Sequence, residues 1–271
     1  MKLALSEIST VNASFEEDVA AYAAAGFDGI GIWEFKLPAA DAANLERLRA
    51  NGLAVANCIP AVPSILPLRL EGMEGPADVR ERVTMLCASM RRLAAYEPES
   101  VLVITGPLDD EHSREVVVGG LRVIAEAAAR AGVRLGLEPI HSSQRDSVSF
   151  VNSIEDAVEL LDEAGLDEVG IMADTYNLWH ESPAALAAVA DRVTGLHMAD
   201  EPAEQGRTDR VLPGEGGTKS TELARALIAA GWSGFLDVEI FSTPDRFWSL
   251  PADEAARQAY AAVAAVAQTV P

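Results

Sequence analysis

The sequence predicts an α/β fold in which eight strand–helix units close into a (β/α)8 (TIM) barrel, as a single domain over residues 1–271. Three observations lead to this prediction. An alanine-rich helical segment, a glycine and a short run of Val, Ile and Leu recur along the chain, most clearly at 23–33, 129–139 and 229–241. Strand and helix alternate to the end, which favours right-handed crossovers and a mostly parallel sheet. Eight such units in about 250 residues have the length of a closed barrel.

The boundaries of the elements follow from glycine and apolar runs. A glycine suits the position after a helix, where a left-handed backbone costs it little, and this applies to Gly26, Gly52, Gly132, Gly165 and Gly231. The strands are predicted at 2–7, 29–35, 53–59, 100–106, 133–138, 169–174, 194–199 and 234–241.

Serines precede several of the predicted helices and can cap their first turns. We expect caps at Ser14, Ser153, Ser182 and Ser220. The Pro- and Gly-rich segment 60–77 follows the third strand, and the polar segment 201–218 follows the seventh. Both are expected at the carboxyl rim of the barrel, where barrel active sites are built.

An open, doubly wound sheet is the alternative to a barrel. Such sheets bind nucleotides through glycine-rich loops. The chain has no GxGxxG after its first strand and no GxxxxGK[ST] anywhere, so the nucleotide-binding interpretations of an open sheet lack support.

The charge and composition exclude several classes of partner. With 42 acidic against 21 basic side chains, the net charge of -21 repels nucleic acid and anionic membranes. The beginning of the chain lacks a secretory apolar segment, and no run of 18 apolar residues occurs, so a cytoplasmic protein is expected. The two cysteines, Cys58 and Cys87, lack metal or redox spacing and are expected as free thiols.

A residue able to bind a metal stands near the end of each of the last four predicted strands. These residues are Glu138, Asp174, His197 and Glu239. Because residues two apart share a face of a strand, the alternation of side chains predicts that all four point into the barrel. Three converging carboxylates repel one another unless a cation lies between them. One divalent ion is therefore predicted, with Mn²⁺ favoured and Mg²⁺, Co²⁺ or Zn²⁺ as alternatives. Taken singly, a carboxylate at the end of a barrel strand is more often a solvated rim residue or an ion-pair partner.

The ordered motifs in this half of the chain resemble the sugar phosphate isomerase/epimerase family with the xylose-isomerase-like barrel. The matching segments are LEPIH (137–141), MADTYNLWH (172–180), GLHMAD (195–200), DRVLPGEG (209–216) and DVEIF (237–241). The resemblance implies metal binding by the same four residues. It also implies that Arg210 meets a substrate oxygen, although a loop arginine that offsets nearby acids is the alternative.

Further residues are candidates for the site, each with an ordinary structural alternative. His141 could act as an acid or base, or simply hold its loop. Trp33 and Lys36 could contact a sugar, or pack at the rim. Trp179 and His180 could wall the pocket or pack over it, whereas Trp248 is expected to pack. Asp200 could orient His197 or remain a loop carboxylate.

One position departs from the family pattern. Many relatives have DxxH after the sixth strand, with the histidine on the substrate, but Asn177 stands at that position here. An asparagine hydrogen-bonds a hydroxyl group, yet it cannot serve as a base.

The sequence therefore predicts a metal-dependent isomerase or epimerase that acts on a sugar, keto-sugar or cyclitol through an enediolate, with Glu138 and Glu239 exchanging protons. A lyase or dehydratase with the same metal site is the enzymatic alternative, and a non-catalytic subunit is a third. DNA repair, as in the endonuclease IV group with this barrel, is disfavoured by the charge and by only four histidines. The identity of the substrate, its phosphorylation and assembly into a homo-oligomer stay open.

Overall fold

Eight parallel strands form one closed barrel in the order in which they occur along the chain. The computed structural model describes residues 1–70, 72, 75–203 and 209–268. The strands are β1 (Lys2–Ser6), β2 (Gly29–Trp33), β3 (Ala54–Ile59), β4 (Ser100–Val103), β5 (Leu135–Leu137), β6 (Gly170–Asp174), β7 (Val193–Met198) and β8 (Phe235–Val238). Because β1 pairs with both β2 and β8, the sheet closes on itself, and the open-sheet alternative is wrong.

A helix follows each strand and covers the outside of the barrel. The helices are α1 (Phe15–Ala25), α2 (Asp41–Ala50), α3 (Val79–Leu93), α4 (Ser113–Ala131), α5 (Ile154–Ala164), α6 (Pro183–Ala188), α7 (Ser220–Ala229) and α8 (Ala252–Gln268). The predicted barrel is confirmed. In the described part of the chain, no helix is long and apolar enough to cross a membrane.

Three of the four predicted serine caps are confirmed. Ser14 accepts a hydrogen bond from the Glu17 N–H and completes a capping box. Ser153 and Ser182 cap α5 and α6 by accepting from the N–H groups of Asp156 and Ala185. The prediction for Ser220 is wrong. Lys219 holds the cap position of α7, so Ser220 is already inside the first turn and is buried.

The predicted glycine positions agree with the structure. Gly26, Gly132 and Gly165 end α1, α4 and α5 with φ of 99°, 76° and 65°. These angles lie in the left-handed region that residues with a Cβ avoid.

Six of the eight strands end earlier than predicted, and β2, β4 and β8 do so by two or three residues. At β2 and β4 a turn or a loop partner replaces the ladder. β2 ends at Trp33 and passes directly into a 3₁₀ turn, Glu34–Lys36. After β4, Ile104 pairs with Ser64 and Gly106 pairs with Ser149, both in loops. The apolar run predicted for the last strand continues to residue 241, whereas β8 ends at Val238.

Alternate residues of the strands face the helices and the barrel interior, as predicted. Leu137, Ile171, Leu196 and Val238 belong to the main core between barrel and helices. On the inner side, a Cβ placed on Gly31 would lie 2.4 Å from Oδ2 of Asp237. Glycine at position 31 therefore makes room for a carboxylate inside the barrel.

The two long loops follow β3 and β7 at the carboxyl rim, as expected. Residues 71, 73 and 74 of the first loop and 204–208 of the second lie outside the described residues, as does 269–271 at the end of the predicted domain. Cys58 and Cys87 are free, as predicted, with Cys58 buried and Cys87 half-buried.

Candidate active site

The four predicted ligand residues converge at the carboxyl end of the barrel. Each offers one oxygen or nitrogen atom, and these atoms all lie within 4.8 Å of one another; the residues are Glu138, Asp174, His197 and Glu239. All four are buried. Consecutive parallel strands end side by side, so β5 to β8 bring together residues that are 101 positions apart in the sequence, from Glu138 to Glu239.

The imidazole of His197 is oriented by a pair of polar residues inside the barrel. Its Nε2 lies 3.2 Å from Oδ1 of Asn57, and the Nδ2 of Asn57 donates to Oδ2 of Asp237 at 2.6 Å. Nε2 thus carries a proton and donates it in a hydrogen bond to Asn57 in this arrangement. The ring then presents Nδ1 to the carboxylates.

The Nδ1 atom of His197 is a buried polar atom without a hydrogen bond among the described residues. It lies 3.3 Å from Oε2 of Glu239 and 4.0 Å from Oε1 of Glu138, but neither carboxylate meets hydrogen-bond geometry. A buried imidazole nitrogen that has lost its proton and lies beside three carboxylates is the donor set that a divalent ion uses. The residues present fit such an ion.

Burial and crowding change the acidity of the cluster. Burial, together with the negative charge of Asp174, raises the pKa of Glu138 to about 7, although His197 opposes this. Burial also raises the pKa of Asp237 to about 7. For His197, burial opposes the cationic form, but the charge of Glu239 and the other nearby carboxylates raise its pKa to about 10. The cluster therefore favours a positive charge at its centre.

Arg210 supplies positive charge to the same carboxylates. Its Nη1 lies 2.9 Å from Oδ2 of Asp174 and 3.0 Å from Oε2 of Glu239. The guanidinium is buried between two aromatic rings, 4.6 Å from the ring centre of Tyr176 and 4.8 Å from that of Phe241. Arg210 thus borders the acidic cluster, as predicted from its position after β7.

Asn177 bridges two of the candidate ligands. Its Nδ2 donates to Oδ2 of Asp174 at 2.9 Å and to Oε1 of Glu138 at 3.3 Å, and its Oδ1 accepts from the His141 N–H. The side chain is fully buried. The amide of Asn177 therefore holds two carboxylates in position. This role requires a hydrogen-bond donor and does not require a base.

A cavity of about 530 Å³ opens beside the cluster. This volume lies within the range of about 300–1,000 Å³ that is usual for small-molecule sites. Glu138 and Glu239 line the cavity, together with the predicted substrate residues Trp33, Asn177 and Arg210. The structure therefore places these five predicted residues around one cavity.

The other candidates lie outside that space. His141 and His180 do not line the cavity. The ring of His141 stacks on that of Trp179 with 5.5 Å between the ring centroids. The Nδ1 atom of His141 lies 2.9 Å from the Ser143 hydroxyl. Burial and the nearby His180 lower the pKa of His141. These contacts fit the structural alternative for both histidines better than a direct contact with substrate.

Lys36 and Asp200 have structural partners instead of site contacts. The Lys36 ammonium is buried in an ion pair with Asp18 and also donates to two backbone carbonyls, so it does not reach the cavity. Asp200 accepts hydrogen bonds from the N–H groups of Gly214 and Gly216 and from the Thr218 hydroxyl. It organises the loop after β7 and does not orient His197. Trp248 packs at the rim and donates to two carbonyls, as expected.

The sequence interpretation missed several residues of the site. Asn57 and Asp237 orient His197, and Tyr176 and Phe241 enclose Arg210. One signal was present for the first pair. Asn57 and Asp237 are polar residues on the inward parity of apolar strands, where a buried polar group requires a partner.

The fold agrees with a comparison to known families. The family model described as xylose isomerase-like TIM barrel matches residues 19–265. The chain belongs to this family.

The curated relatives of the chain include a dehydratase, an isomerase and epimerases. A 3-dehydroshikimate dehydratase from Pseudomonas aeruginosa is 27% identical over 268 residues, covering 90% of this chain and 39% of the dehydratase. A D-psicose 3-epimerase from Enterocloster bolteae is 29% identical over 136 residues, covering 49% of this chain and 42% of the epimerase. The chain thus spans about two fifths of the length of either relative.

A solved structure matches the whole barrel. The IolI protein with a bound zinc atom superposes with a TM-score of 0.79 and 20% sequence identity, covering 100% of this chain and 99% of that protein. At this identity the similarity establishes the fold and not the reaction.

Proposed function

We propose that this protein is a divalent-metal-dependent isomerase or epimerase of sugar-like ketones, which moves a proton on the carbon next to a carbonyl group. Glu138, Asp174, His197 and Glu239 would hold the metal ion. Manganese is the first choice on the mixed oxygen and nitrogen donor set, and the zinc atom in the IolI structure supports a divalent ion in a barrel of this shape. The cytoplasmic location expected from the sequence stays a prediction.

The observation that carries the proposal is the different exposure of the four candidate ligands to the cavity. Glu138 and Glu239 line it, whereas Asp174 and His197 do not. Two carboxylates at the ends of separate strands, β5 and β8, would therefore face one molecule bound in the cavity. One can remove a proton from a carbon atom and the other can return a proton to the neighbouring atom or to the opposite face.

A carboxylate is too weak a base to deprotonate an unactivated sugar carbon. The metal ion, when bound, would supply Lewis-acid polarisation of the substrate carbonyl and so increase the acidity of the adjacent C–H group. Without a metal ion, burial raises the pKa of Glu138 to about 7. A dication held by the same carboxylate would lower this pKa and keep Glu138 ionised, as a base requires.

The remaining side chains would orient the substrate and the two bases. Asn177 fixes Glu138 and Asp174 relative to each other through its amide. Arg210 fixes Glu239 and keeps a positive charge at the wall. The indole N–H of Trp33 donates to the Ser6 hydroxyl at 2.9 Å, so its ring is held as a flat wall for the substrate.

A dehydratase or other lyase is the second candidate. The 3-dehydroshikimate dehydratase aligns with most of this chain, whereas the epimerase aligns with about half. Both reactions begin with proton removal beside a carbonyl. They differ in whether a leaving group departs before the proton returns.

Solvent exchange tests the proposal directly. Incubation of the metal-loaded protein with small ketoses and cyclic ketones in D₂O is expected to introduce deuterium beside the carbonyl, measured by NMR. The Glu239→Gln variant should slow this exchange by about 10² or more, the scale of a lost acid or base group.

A matched variant and a metal assay complete this experiment. Glu159→Gln removes an exposed carboxylate on α5 and should exchange at the wild-type rate. Metal content must be measured in Glu239→Gln, because the residue is also a candidate ligand. Exchange at the wild-type rate in metal-free protein would refute the proposal.

A further inference from the structure

The wall of the 530 Å³ cavity is divided into two chemically different halves. The polar half comes from β5 to β8 and their loops and includes Glu138, Tyr176, Asn177, Arg210 and Glu239. The other half comes mainly from β2 to β4 and the loop after β5. It is mainly apolar and includes Ile59, Leu68, Leu102, Ile104, Ile140 and Val148, with Ser143 and Gln144 of the loop after β5 as its polar members.

The apolar half is a packed surface and not a set of scattered side chains. Trp33, Ile59, Leu68, Leu102 and Ile104 belong to one hydrophobic cluster, together with Ile140 and Val148. This cluster is separate from the main core between barrel and helices. Each of these residues is buried in the protein, yet each also lines the cavity. The wall therefore has a fixed shape.

A fully hydroxylated sugar would be poorly matched to this surface. Hydroxyl groups pressed against Leu102 and Ile104 would lose hydrogen bonds to water and gain none in return. An apolar group at the same place would gain from leaving water. The two halves together fit a molecule with oxygen atoms at one end and a hydrocarbon or aromatic body at the other.

The charges of the cavity also argue against a phosphorylated substrate. Among the described residues that line it, Arg210 is the only lysine or arginine. Its guanidinium is engaged by Asp174 and Glu239. The lining also contains Glu138, Glu201 and Glu239, which repel a phosphate group.

We infer that the substrate is an unphosphorylated hydroxy-ketone whose oxygen atoms lie at the Glu138–Glu239 side and whose apolar or aromatic ring lies against Leu68, Leu102 and Ile104. This inference rests on the proposed function for the oxygenated end. It adds a specificity surface that neither the metal cluster nor the reaction requires.

Three hydroxamates test the inference by binding alone. Acetohydroxamate, benzohydroxamate and phosphoglycolohydroxamate share one chelating group and differ in the attached methyl, phenyl or phosphate-bearing part. Calorimetric titration of the Mn²⁺-saturated protein should show benzohydroxamate binding at least about tenfold tighter than acetohydroxamate, because the phenyl ring buries more apolar surface. Phosphoglycolohydroxamate should bind weakest.

A pair of leucine variants locates the effect. Leu68→Asn makes the loop side of the wall polar and should remove most of the preference for benzohydroxamate, with little change for acetohydroxamate. Leu108→Asn changes an exposed leucine outside the cavity and should keep the preference. If Leu68→Asn fails to fold, Leu68→Ala serves the same purpose and should reduce the preference in the same direction.

The possible failures are distinguishable. Equal affinities for the methyl and phenyl compounds, or tightest binding of the phosphate compound, would overturn the inference and leave the metal site intact. Absence of binding for all three compounds, in protein shown to contain Mn²⁺, would overturn the proposed function and the inference with it.

Discussion

A single buried arginine balances much of the negative charge in the candidate site. Arg210 contacts Asp174 and Glu239. Burial opposes the charged guanidinium, but the charges of Asp174 and Glu239 raise the pKa of Arg210 further. Buried ions are stable only when they are paired and hydrogen-bonded. Arg210 therefore has a structural role in the metal-free protein in addition to any contact with substrate.

This role leads to a prediction for the Arg210→Ala variant. Loss of the guanidinium leaves buried carboxylates without their partner, which costs on the order of 3 kcal/mol in the free energy of unfolding. Urea unfolding in the presence of a chelator should show this loss. Saturation with Mn²⁺ should recover part of it, because the dication supplies the missing positive charge.

The Arg210→Lys variant is the control for charge. It keeps one positive charge but loses the planar group that stacks between Tyr176 and Phe241. An intermediate stability is expected. If Arg210→Ala is as stable as the wild type without metal, the arginine does not balance the cluster.

The residues of the inner site were predictable from strand ends, but their supporting contacts were not. Glu138, Asp174, His197 and Glu239 share parity and position in their strands, and both properties are visible in the sequence. The contacts of Asn57 with His197 cross the barrel from β3 to β7. Contacts across the barrel depend on its closed geometry, which no local pattern records.

At the level of elements, a buried charge network joins the first turn after β1 to α1 and to the end of β2. The Lys36 ammonium pairs with Asp18 and donates to the carbonyls of Glu7 and Thr10. Oε2 of Glu7 accepts the Trp33 N–H at 2.9 Å. Through Trp33, the network fixes one wall of the cavity.

This network predicts a loss of stability as the pH rises. Burial, opposed by Lys36, raises the pKa of Glu7 from 4.5 to about 8 and that of Asp18 from 3.8 to about 6. A group with a raised pKa in the folded state contributes stability that is fully present below its unfolded pKa and is lost as the pH rises through the folded pKa. For Glu7 this interval extends from about pH 4.5 to about pH 8.

Glu7→Gln keeps an acceptor for the Trp33 N–H and removes the ionisation. Its free energy of unfolding should fall less between pH 5 and pH 8 than that of the wild type, by on the order of 1–2 kcal/mol in metal-free protein. Denaturant unfolding at the two pH values measures the difference. Glu46→Gln, at an exposed position of α2, should behave as the wild type. A fall in stability as large as in the wild type would contradict the raised pKa of Glu7.

The elements themselves were predicted more reliably than their ends. Helix ends with left-handed glycines, such as Gly132 and Gly165, follow from backbone sterics that act locally. The end of β4 depends on pairing of Ile104 with Ser64, in the loop after β3. An apolar run alone cannot show where such a distant partner replaces the ladder.

For the whole molecule, closure of the barrel places a dense group of negative charge at one end of a protein with a net charge of -21. The acidic cluster exists only when β5 to β8 lie side by side. In the unfolded chain the same residues are far apart and bind a metal ion weakly. An ion that binds the folded state alone stabilises it through mass action.

Metal binding should therefore appear as a change in thermal stability. At a Mn²⁺ concentration about 100 times its dissociation constant, the folded state gains about 2.7 kcal/mol. For a domain of this size, such a gain corresponds to a rise in Tm of roughly 5–10 °C. Removal of the ion with EDTA should reverse the shift, and elemental analysis should give one ion per chain.

Two aspartate variants separate a specific site from general neutralisation of an acidic protein. Asp174→Asn removes one candidate ligand and should abolish most of the Mn²⁺-dependent shift, because the remaining donors no longer surround the ion. Asp191→Asn changes the net charge by the same amount at an exposed position and should preserve the shift. Non-specific neutralisation would reduce the shift equally in both variants and would weaken strongly with added NaCl, since exposed charges are screened by salt. A shift that depends on Asp174 and persists in salt requires a buried site at the end of the closed barrel.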